Sequence, residues 1–361
     1  MPAAVSIREV ALLAGVSVGT VSNVLNRPDV VATVTRERVL AAINELGFVR
    51  NESARQLRSG TARAIGLVVL DVSNPFFTDV ARGVEEAATE AGHAVILCNT
   101  DESVQKEARH LELLAEQRVH GVLITPADPT LAPVHKLRGR GVSVVLLDHP
   151  AELADACSVA VDDRTGGTLA IRHLIAKGHQ DIVMVNGATN RLYQARERHV
   201  GAVAALTEAG RAPESLGVIE VPAFTVACGL SAGEELLARS PRPTAVFCAN
   251  DLLALGVLQA LVRAGVRVPQ EVAIVGYDDI DFAAAAAVPL SSVRQPRLLI
   301  GRTAAELVIA ETHDPDGHEH QHVVFTPDLV VRASSDYTVA DNHLDAAAAP
   351  GSRRENQRGE G

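Results

Sequence analysis

The 361-residue chain has no tryptophan, and aromatic residues make up only 3% of it, so its cores must be packed from Ala, Val and Leu rather than from rings. It also lacks a long apolar run. The longest, such as Ile65 to Leu70 and Val142 to Leu147, are far too short to span a bilayer, and residues 1 to 10 carry no signal-peptide core, which excludes a membrane partner and places the chain in the cytoplasm. Its four cysteines, Cys98, Cys157, Cys228 and Cys248, form no Cys-x-x-Cys and no zinc-type spacing. Buried free thiols are therefore the expected state. Missing too are a P-loop, a Gly-x-Gly-x-x-Gly and a Gly-x-Ser-x-Gly, and Gly166-Gly167 is too sparse to cradle phosphate. Without a nucleophile beside a base, no enzyme is expected and no cofactor is implied.

What is present is unevenly distributed. The net charge is -11, yet the first sixty residues hold seven arginines against five acids. A slightly basic head on an acidic body orients a molecule towards polyanions, with the body kept off them. The length alone exceeds what one core usually supports.

The head reads as three short helices. Ser6-Ile-Arg-Glu9 is a capping box that starts the first helix, and Gly15 ends it. Ser17 caps a second helix through Leu25, with Val18, Val21 and Leu25 as an inward stripe. The third begins at Thr33 or Thr35, turns Val39, Ile43 and Leu46 inward and stops at Gly47. Helix, glycine turn and second helix form the DNA-reading helix-turn-helix layout. The small outer face of the second helix, with Ser17, Gly19, Thr20, Ser22, Asn23 and Asn26, can enter a major groove closely. Thr20 and Ser22 suit phosphate oxygens, Asn23 can pair with adenine, and Val18 can lie against a thymine methyl.

From Ala64 the pattern changes to short apolar runs alternating with helix-length amphipathic segments, the signature of parallel sheets buried on both faces. The runs are Ile65 to Asp71, Ala94 to Asn99, Val122 to Thr125, Val142 to Asp148, Ile182 to Asn186, Ala245 to Ala249 and Val272 to Tyr277. Many end at a polar residue, Asp71, Asn99, Asp148, Asn186, Asn250 or Asp278, at the strand edge where open α/β sheets bind ligands. His318, His320 and His322 alternate into a strand on one exposed face with no fourth ligand implied, so no metal site is expected. Residues after about Val339 lack periodicity and read as a disordered tail.

Read together, Ile7-Arg-Glu-Val-Ala, Gly15-Val-Ser-Val-Gly-Thr-Val-Ser-Asn-Val-Leu-Asn, Thr35-Arg-Glu-Arg-Val, Ile65-Gly-Leu-Val-Val, Ser73-Asn-Pro-Phe-Phe77, Gly178-His179, Asn250-Asp251 and Val275-Gly-Tyr-Asp-Asp279 resemble the LacI/GalR repressor family, from about Ile7 to Ser334. The resemblance implies an α/β protein in which a small all-α helix-turn-helix domain precedes two Rossmann-like lobes of the type I periplasmic-binding-protein fold. The implied divisions are a DNA-binding domain over residues 1–50, a hinge over 51–62, one lobe from 63–161 plus 293–322, the other from 162–292 plus 323–338, and the tail over 339–361. Lobe crossings are expected near Val161, Ser292 and His322.

The same resemblance makes Val18, Gly19 and Asn23 the base-reading positions and Ser53 to Ser59 a hinge helix that folds on DNA. Leu57, with Ala54 and Arg55, would wedge into the minor groove and kink it. Ser6 joins the candidate DNA-facing set. The implied effector pocket contains Ser73, Phe76, Phe77, Asp148, Arg198, Phe224, Asn250 and Asp278. There the carboxylates accept hydrogen bonds, Arg198 forks onto vicinal oxygens and the Phe faces stack on a ring, a set suited to a sugar or nucleoside. Each polar member could instead cap a strand edge or pair between lobes. Ala283 to Ala287 replaces a stretch often bulky in relatives, which would open one wall. The expected partners are a palindromic double-stranded DNA operator, a small effector and a second copy of the chain. The alternative is a solute-binding protein without a regulatory role.

Overall fold

The computed structural model describes residues 5–48, 64–149, 156–188 and 192–337. The expected hinge, with Ala54, Arg55 and Leu57, and the expected tail beyond Val339 lie outside the described residues. The chain divides into two compact units, residues 1–62 and 63–361.

In the first unit, α1 (Ile7–Ala14) starts at the capping box: the Ser6 N–H and hydroxyl donate to Glu9 Oε2 at 2.7 and 2.8 Å. It ends at Gly15, where φ is 61°, a conformation a Cβ would strain. In α2 (Val18–Asn26) the Ser17 hydroxyl oxygen accepts from the Thr20 N–H at 3.1 Å, satisfying an otherwise orphaned donor. The third helix, α3 (Thr33–Leu46), stops at the left-handed Gly47. These helices close on Val10, Ala14, Val21, Val24 and Val39, with Ile43 and Leu46 partly buried at the edge. One inward position is corrected. Val18 is exposed, because the buried stripe of α2 is Val21 and Val24, three residues apart, and Val18 lies off that face.

The second unit carries two six-stranded sheets. The first has the order β11-β5-β4-β3-β1-β2 and consists of β1 (Ala64–Val69), β2 (Ala94–Asn99), β3 (Gly121–Ile124), β4 (Val144–Leu147), β5 (Cys157–Val161) and β11 (His322–Phe325), all paired in parallel. The second has the order β12-β10-β9-β8-β6-β7. It contains β6 (Ile182–Gly187), β7 (Leu216–Val221), β8 (Ala245–Cys248), β9 (Ala273–Asp278), β10 (Ser291–Arg294) and β12 (Asp328–Val330), of which only the β10–β12 pair is antiparallel. Central strands such as β3, β4, β8 and β9 are buried at every position, as continuous apolar runs between two helical layers must be.

Around the first sheet pack α4 (Pro75–Glu90), α5 (Val104–Glu116), α6 (Ala132–Arg138) and α12 (Arg297–His313). The second is covered by α7 (Asp163–Ala176), α8 (Tyr193–Glu208), α9 (Val226–Ala238) and α10 (Asp251–Arg263), with the short α11 (Asp281–Ala285) beside β10. No single described helix is long and apolar enough to cross a membrane.

The chain passes between sheets after β5, as expected near Val161, but the other two passages lie later than the sequence suggests. β10 runs to Arg294 in the second sheet, and β11 pairs with β5 through Phe325 in the first. The returns therefore fall between Arg294 and Arg297 and between Phe325 and Asp328, so Val323 to Phe325 belongs with the first lobe. The cause is pairing: His322 to Phe325 supplies a ladder to the edge of β5, which single-strand hydropathy does not reveal.

Candidate functional site

The helix starts that follow the strands place a cleft between the two sheets, at the carboxyl ends of their strands, where such folds bind ligands. Its cavity volume is about 50 Å³. Seven of the eight expected effector residues line it: Phe76, Phe77, Asp148, Arg198, Phe224, Asn250 and Asp278. The eighth, Ser73, does not. Its hydroxyl donates to Asp71 Oδ2 at 2.7 Å and its N–H to Asp71 Oδ1 at 2.8 Å, a local turn. Its neighbour Asn74 takes the place, with Asp71, Glu102 and Gln194. None of Ala283 to Ala287 lines the cleft, so that stretch is not an opened wall.

Asn74 caps α4, its Oδ1 accepting from the Phe76 N–H at 3.0 Å, with Pro75 at the first helical position. The cap fixes the following rings, and Phe76 and Phe77 meet edge to face at 5.1 Å between centroids. The other end of the amide crosses the cleft: Asn74 Nδ2 donates to Asp278 Oδ2 at 3.2 Å. Gln295, on the second passage between lobes, donates to Asp278 Oδ1 at 2.7 Å. Burial pushes the Asp278 carboxyl up to about 6, with the nearby Arg198 and the two amides pulling the other way. The Asp278 backbone is strained, with φ at 101°, and it is pinned. Arg297 Nη1 donates to the carbonyls of Asp278 and Asp279, Arg332 pairs with Asp279 at 2.6 Å, and the buried Asp251 accepts from the Ile280 N–H.

Arg198 stands on α8, held against α7 by glycine on both sides: a Cβ on Gly167 would meet the Arg198 carbonyl, and one on Gly201 the Arg164 carbonyl. Its Nε donates to Asp163 Oδ1 at 2.7 Å, its Nη1 to the Ala249 carbonyl at 2.6 Å, and its guanidinium lies 3.7 Å from the Tyr277 ring centre. Burial alone would depress this guanidinium, but Asp163, Tyr277 and Asp278 hold it charged. Two of the guanidinium's five N–H donors are thereby committed, one on Nε and one on Nη1, which leaves one on Nη1 and the pair on Nη2 outside these two bonds. Asn250 is likewise partly spent, accepting from Leu253 N–H at 2.9 Å as the cap of α10 and donating to the Phe224 carbonyl at 3.2 Å.

Asp148 differs. It sits after β4 at φ 52°, and its Oδ1 is buried without a hydrogen-bond partner among the described residues. Burial first, then the charges of Asp163 and Asp278, push its carboxyl up to about 7, against Arg198 and a hydrogen bond from Gln194. Two other strand-edge candidates serve structure. Asn186 is wholly buried and donates to the Ala195 carbonyl, while Asn99 accepts from the Val72 N–H. Glu102, Gln194 and Gln295 carry no sequence signal as cleft residues, and Asn74 carries one, the Asn-Pro helix start inside Ser73-Asn-Pro-Phe-Phe77.

In the first unit, Val18, Gly19 and Asn23 are exposed together on α2. Other candidates are engaged within the head: Ser6 with Glu9, Ser17 with Thr20, and Asn26, whose amide donates to the Ser22 carbonyl at 2.9 Å and lies 3.2 Å from its hydroxyl. Arg38 Nη2 donates to the carbonyls of Ala14 and Gly15, fastening α3 to the turn between the first two helices.

Residues 6–51 match the family model of bacterial regulatory proteins of the lacI family, and residues 62–333 that of periplasmic binding proteins and the sugar-binding domain of the LacI family. Among curated proteins, the chain is 35% identical over 330 residues to the HTH-type transcriptional repressor PurR of Photobacterium profundum, covering 91% of this chain and 98% of that one. Among solved structures it is similar to the lac repressor dimer bound to operator and an anti-inducer, at 26% identity and a TM-score of 0.79 over 92% of this chain and 99% of that one. A complex of the regulator CelR with cellobiose matches at 34% identity and a TM-score of 0.67, over 91% and 99% of the two chains. With an exposed reading helix in one unit and a polar cleft between two lobes in the other, the chain belongs to the LacI family of DNA-binding transcriptional regulators controlled by a small effector.

Proposed function

We propose that the chain is a repressor that works in the cytoplasm as a homodimer on a palindromic operator, and that its effector is a neutral, hydroxyl-rich compound, a sugar or nucleoside, bound and not chemically altered. The observation that carries the effector class is the charge of the cleft. Four carboxyls line it, Asp71, Glu102, Asp148 and Asp278, against one arginine already paired with Asp163. A phosphate or carboxylate would meet net repulsion there, whereas hydroxyls or amino groups give carboxylates the donors they need. Apolar faces of Phe76, Phe77 and Phe224 suit the flat side of a ring. Cellobiose in the CelR complex is a compound of this class.

Asn23 is the base-reading side chain on this account, with Val18 against a thymine methyl and operator shape supplying further selectivity. Leu57, with Ala54 and Arg55 beside it, is the proposed minor-groove wedge. Two-fold symmetry of the operator requires two heads, as in the lac repressor dimer.

The test is a binding titration of the purified chain on its own upstream DNA at fixed salt, with neutral sugars and nucleosides set against their phosphorylated counterparts. One neutral compound should change the operator affinity while its phosphate ester does not. A response confined to phosphorylated compounds would refute the effector class.

A further inference from the structure

A second cluster lies at the opposite edge of the first sheet, at the amino-terminal end of β5 and so at the edge where the chain enters β1. Cys157 opens β5 and is fully buried. The loop that leaves α12 for β11 brings two imidazoles onto its sulfur: His318 Nε2 lies 3.1 Å and His320 Nδ1 3.8 Å from Cys157 Sγ. Glu311, near the end of α12 and only 7% exposed, completes the group, and one donor atom from each of the four residues falls within 4.8 Å of all the others. Two further observations point inward. Glu311 Oε2 is buried with no hydrogen-bond partner among the described residues, while Oε1 lies 3.6 Å from Arg138. The Gln321 N–H donates to Cys157 Sγ at 3.3 Å, the kind of outer hydrogen bond that steadies a metal-bound thiolate.

We propose that Cys157, Glu311, His318 and His320 bind one divalent cation of the zinc class. One sulfur, two imidazole nitrogens and one carboxylate form a borderline-soft, four-coordinate set, whereas magnesium and calcium require an oxygen shell of six or more. A simple thiol–imidazole hydrogen bond would occupy one ring; here two rings converge on one sulfur. On binding, the Cys157 thiol gives its proton to solvent and the sulfur lone pair to the ion, while each imidazole donates a ring-nitrogen lone pair. Thiolate and carboxylate together neutralise the dication. All four positions are filled by protein, so the site holds structure and does no chemistry on a bound water. It fastens the end of α12 and the loop over residues 314–321 to β5. His322, the third member of the sequence run, is not part of it and faces Ser158 at 3.2 Å. The expectation of no metal site turns on a missing fourth ligand; the fold brings Cys157 to His318 from 161 residues away, and the turn after α12 brings the imidazoles back to Glu311.

The test uses the full chain, stripped with a chelator and titrated with Co²⁺. The expected result is saturation at one ion per chain, with a thiolate-to-cobalt band in the near ultraviolet and intense tetrahedral bands in the visible, all erased by Zn²⁺. Cys157→Ser should remove the near-ultraviolet band, and the half-exposed His320→Gln should weaken Co²⁺ binding by about tenfold or more. Should Cys157→Ser fail to fold by circular dichroism, the His320→Gln titration decides alone. Absence of the thiolate band in the unaltered chain, its persistence in Cys157→Ser, or unchanged affinity in His320→Gln overturns the proposal.

Discussion

The two walls of the proposed effector cleft are built on opposite plans. On the second lobe, Asp278, Arg198 and Asn250 are held by buried partners, from Asp163 and the Ala249 carbonyl to the Gln295 amide. On the first lobe, where Asp71, Asn74 and Glu102 also line the cleft beside Phe76 and Phe77, Asp148 has one oxygen unmatched. Leaving such a group buried and unpaired costs about 1–3 kcal/mol. One wall is thus set before a ligand arrives, and the other is completed by it. A ligand that satisfies Asp148 and also meets the second wall binds best with both walls in reach, and such differential stabilisation is what shifts a two-state equilibrium.

The sharpest way to break this contrast is Arg198→Ala. It strands the buried Asp163 and should destabilise the body by about 3–5 kcal/mol in denaturant titrations, besides abolishing effector binding. A loss under about 1 kcal/mol would mean the second wall is not held as described. Next comes Asp278→Asn, which keeps the volume but cannot accept from both amides. Effector affinity should fall by about 2–3 kcal/mol, roughly 30- to 150-fold, by calorimetry, while effector-free operator binding is retained.

Asp148→Asn should be milder and of different character. Stability should hold or rise, since a carboxyl raised by burial opposes folding when ionised, whereas effector affinity should drop by about tenfold. The unaltered protein gives the matching pH dependence. A hydroxyl-donating effector needs the ionised carboxylates, so affinity should be level above about pH 8 and fall as the pH drops through about 7 for Asp148 and about 6 for Asp278. In Asp148→Asn the upper step should vanish; its survival would assign that titration elsewhere. Smallest of all, Ser73→Ala should change effector affinity by no more than about 0.5 kcal/mol, because Ser73 serves the turn at Asp71 and not the cleft.

How legible these regions are in the sequence depends on how far apart the interacting residues lie. The head is written locally. Ser6 and Glu9, Ser17 and Thr20, Gly15 and Gly47 each act within a few residues, and the helices begin and end where those signals place them. Only Val18 departs from the expected inward stripe of Val18, Val21 and Leu25: the buried positions of α2 are Val21 and Val24, and Val18 faces outward. In the body, strands with strong apolar runs stood out, but β5, β7, β10 and β12 did not. They are short or partly polar, and partners distant in the chain decide them. Carboxylates at strand ends could be located by position alone. The amides that serve them could not: Asn74 meets Asp278 across 204 residues. Cys157 and His318 are separated by 161 residues, and no spacing rule joins them.

The Asn74–Asp278 hydrogen bond has one more consequence. It makes Asn74 an internal competitor: tethered to its target, the amide stands at a high effective concentration, and an incoming hydroxyl must displace it before gaining anything. Solutes offering a single donor merely exchange one bond for another, whereas those that also reach Asp148 come out ahead. The bond therefore acts as a threshold, muting the response to abundant simple metabolites and reserving it for molecules with two correctly spaced groups.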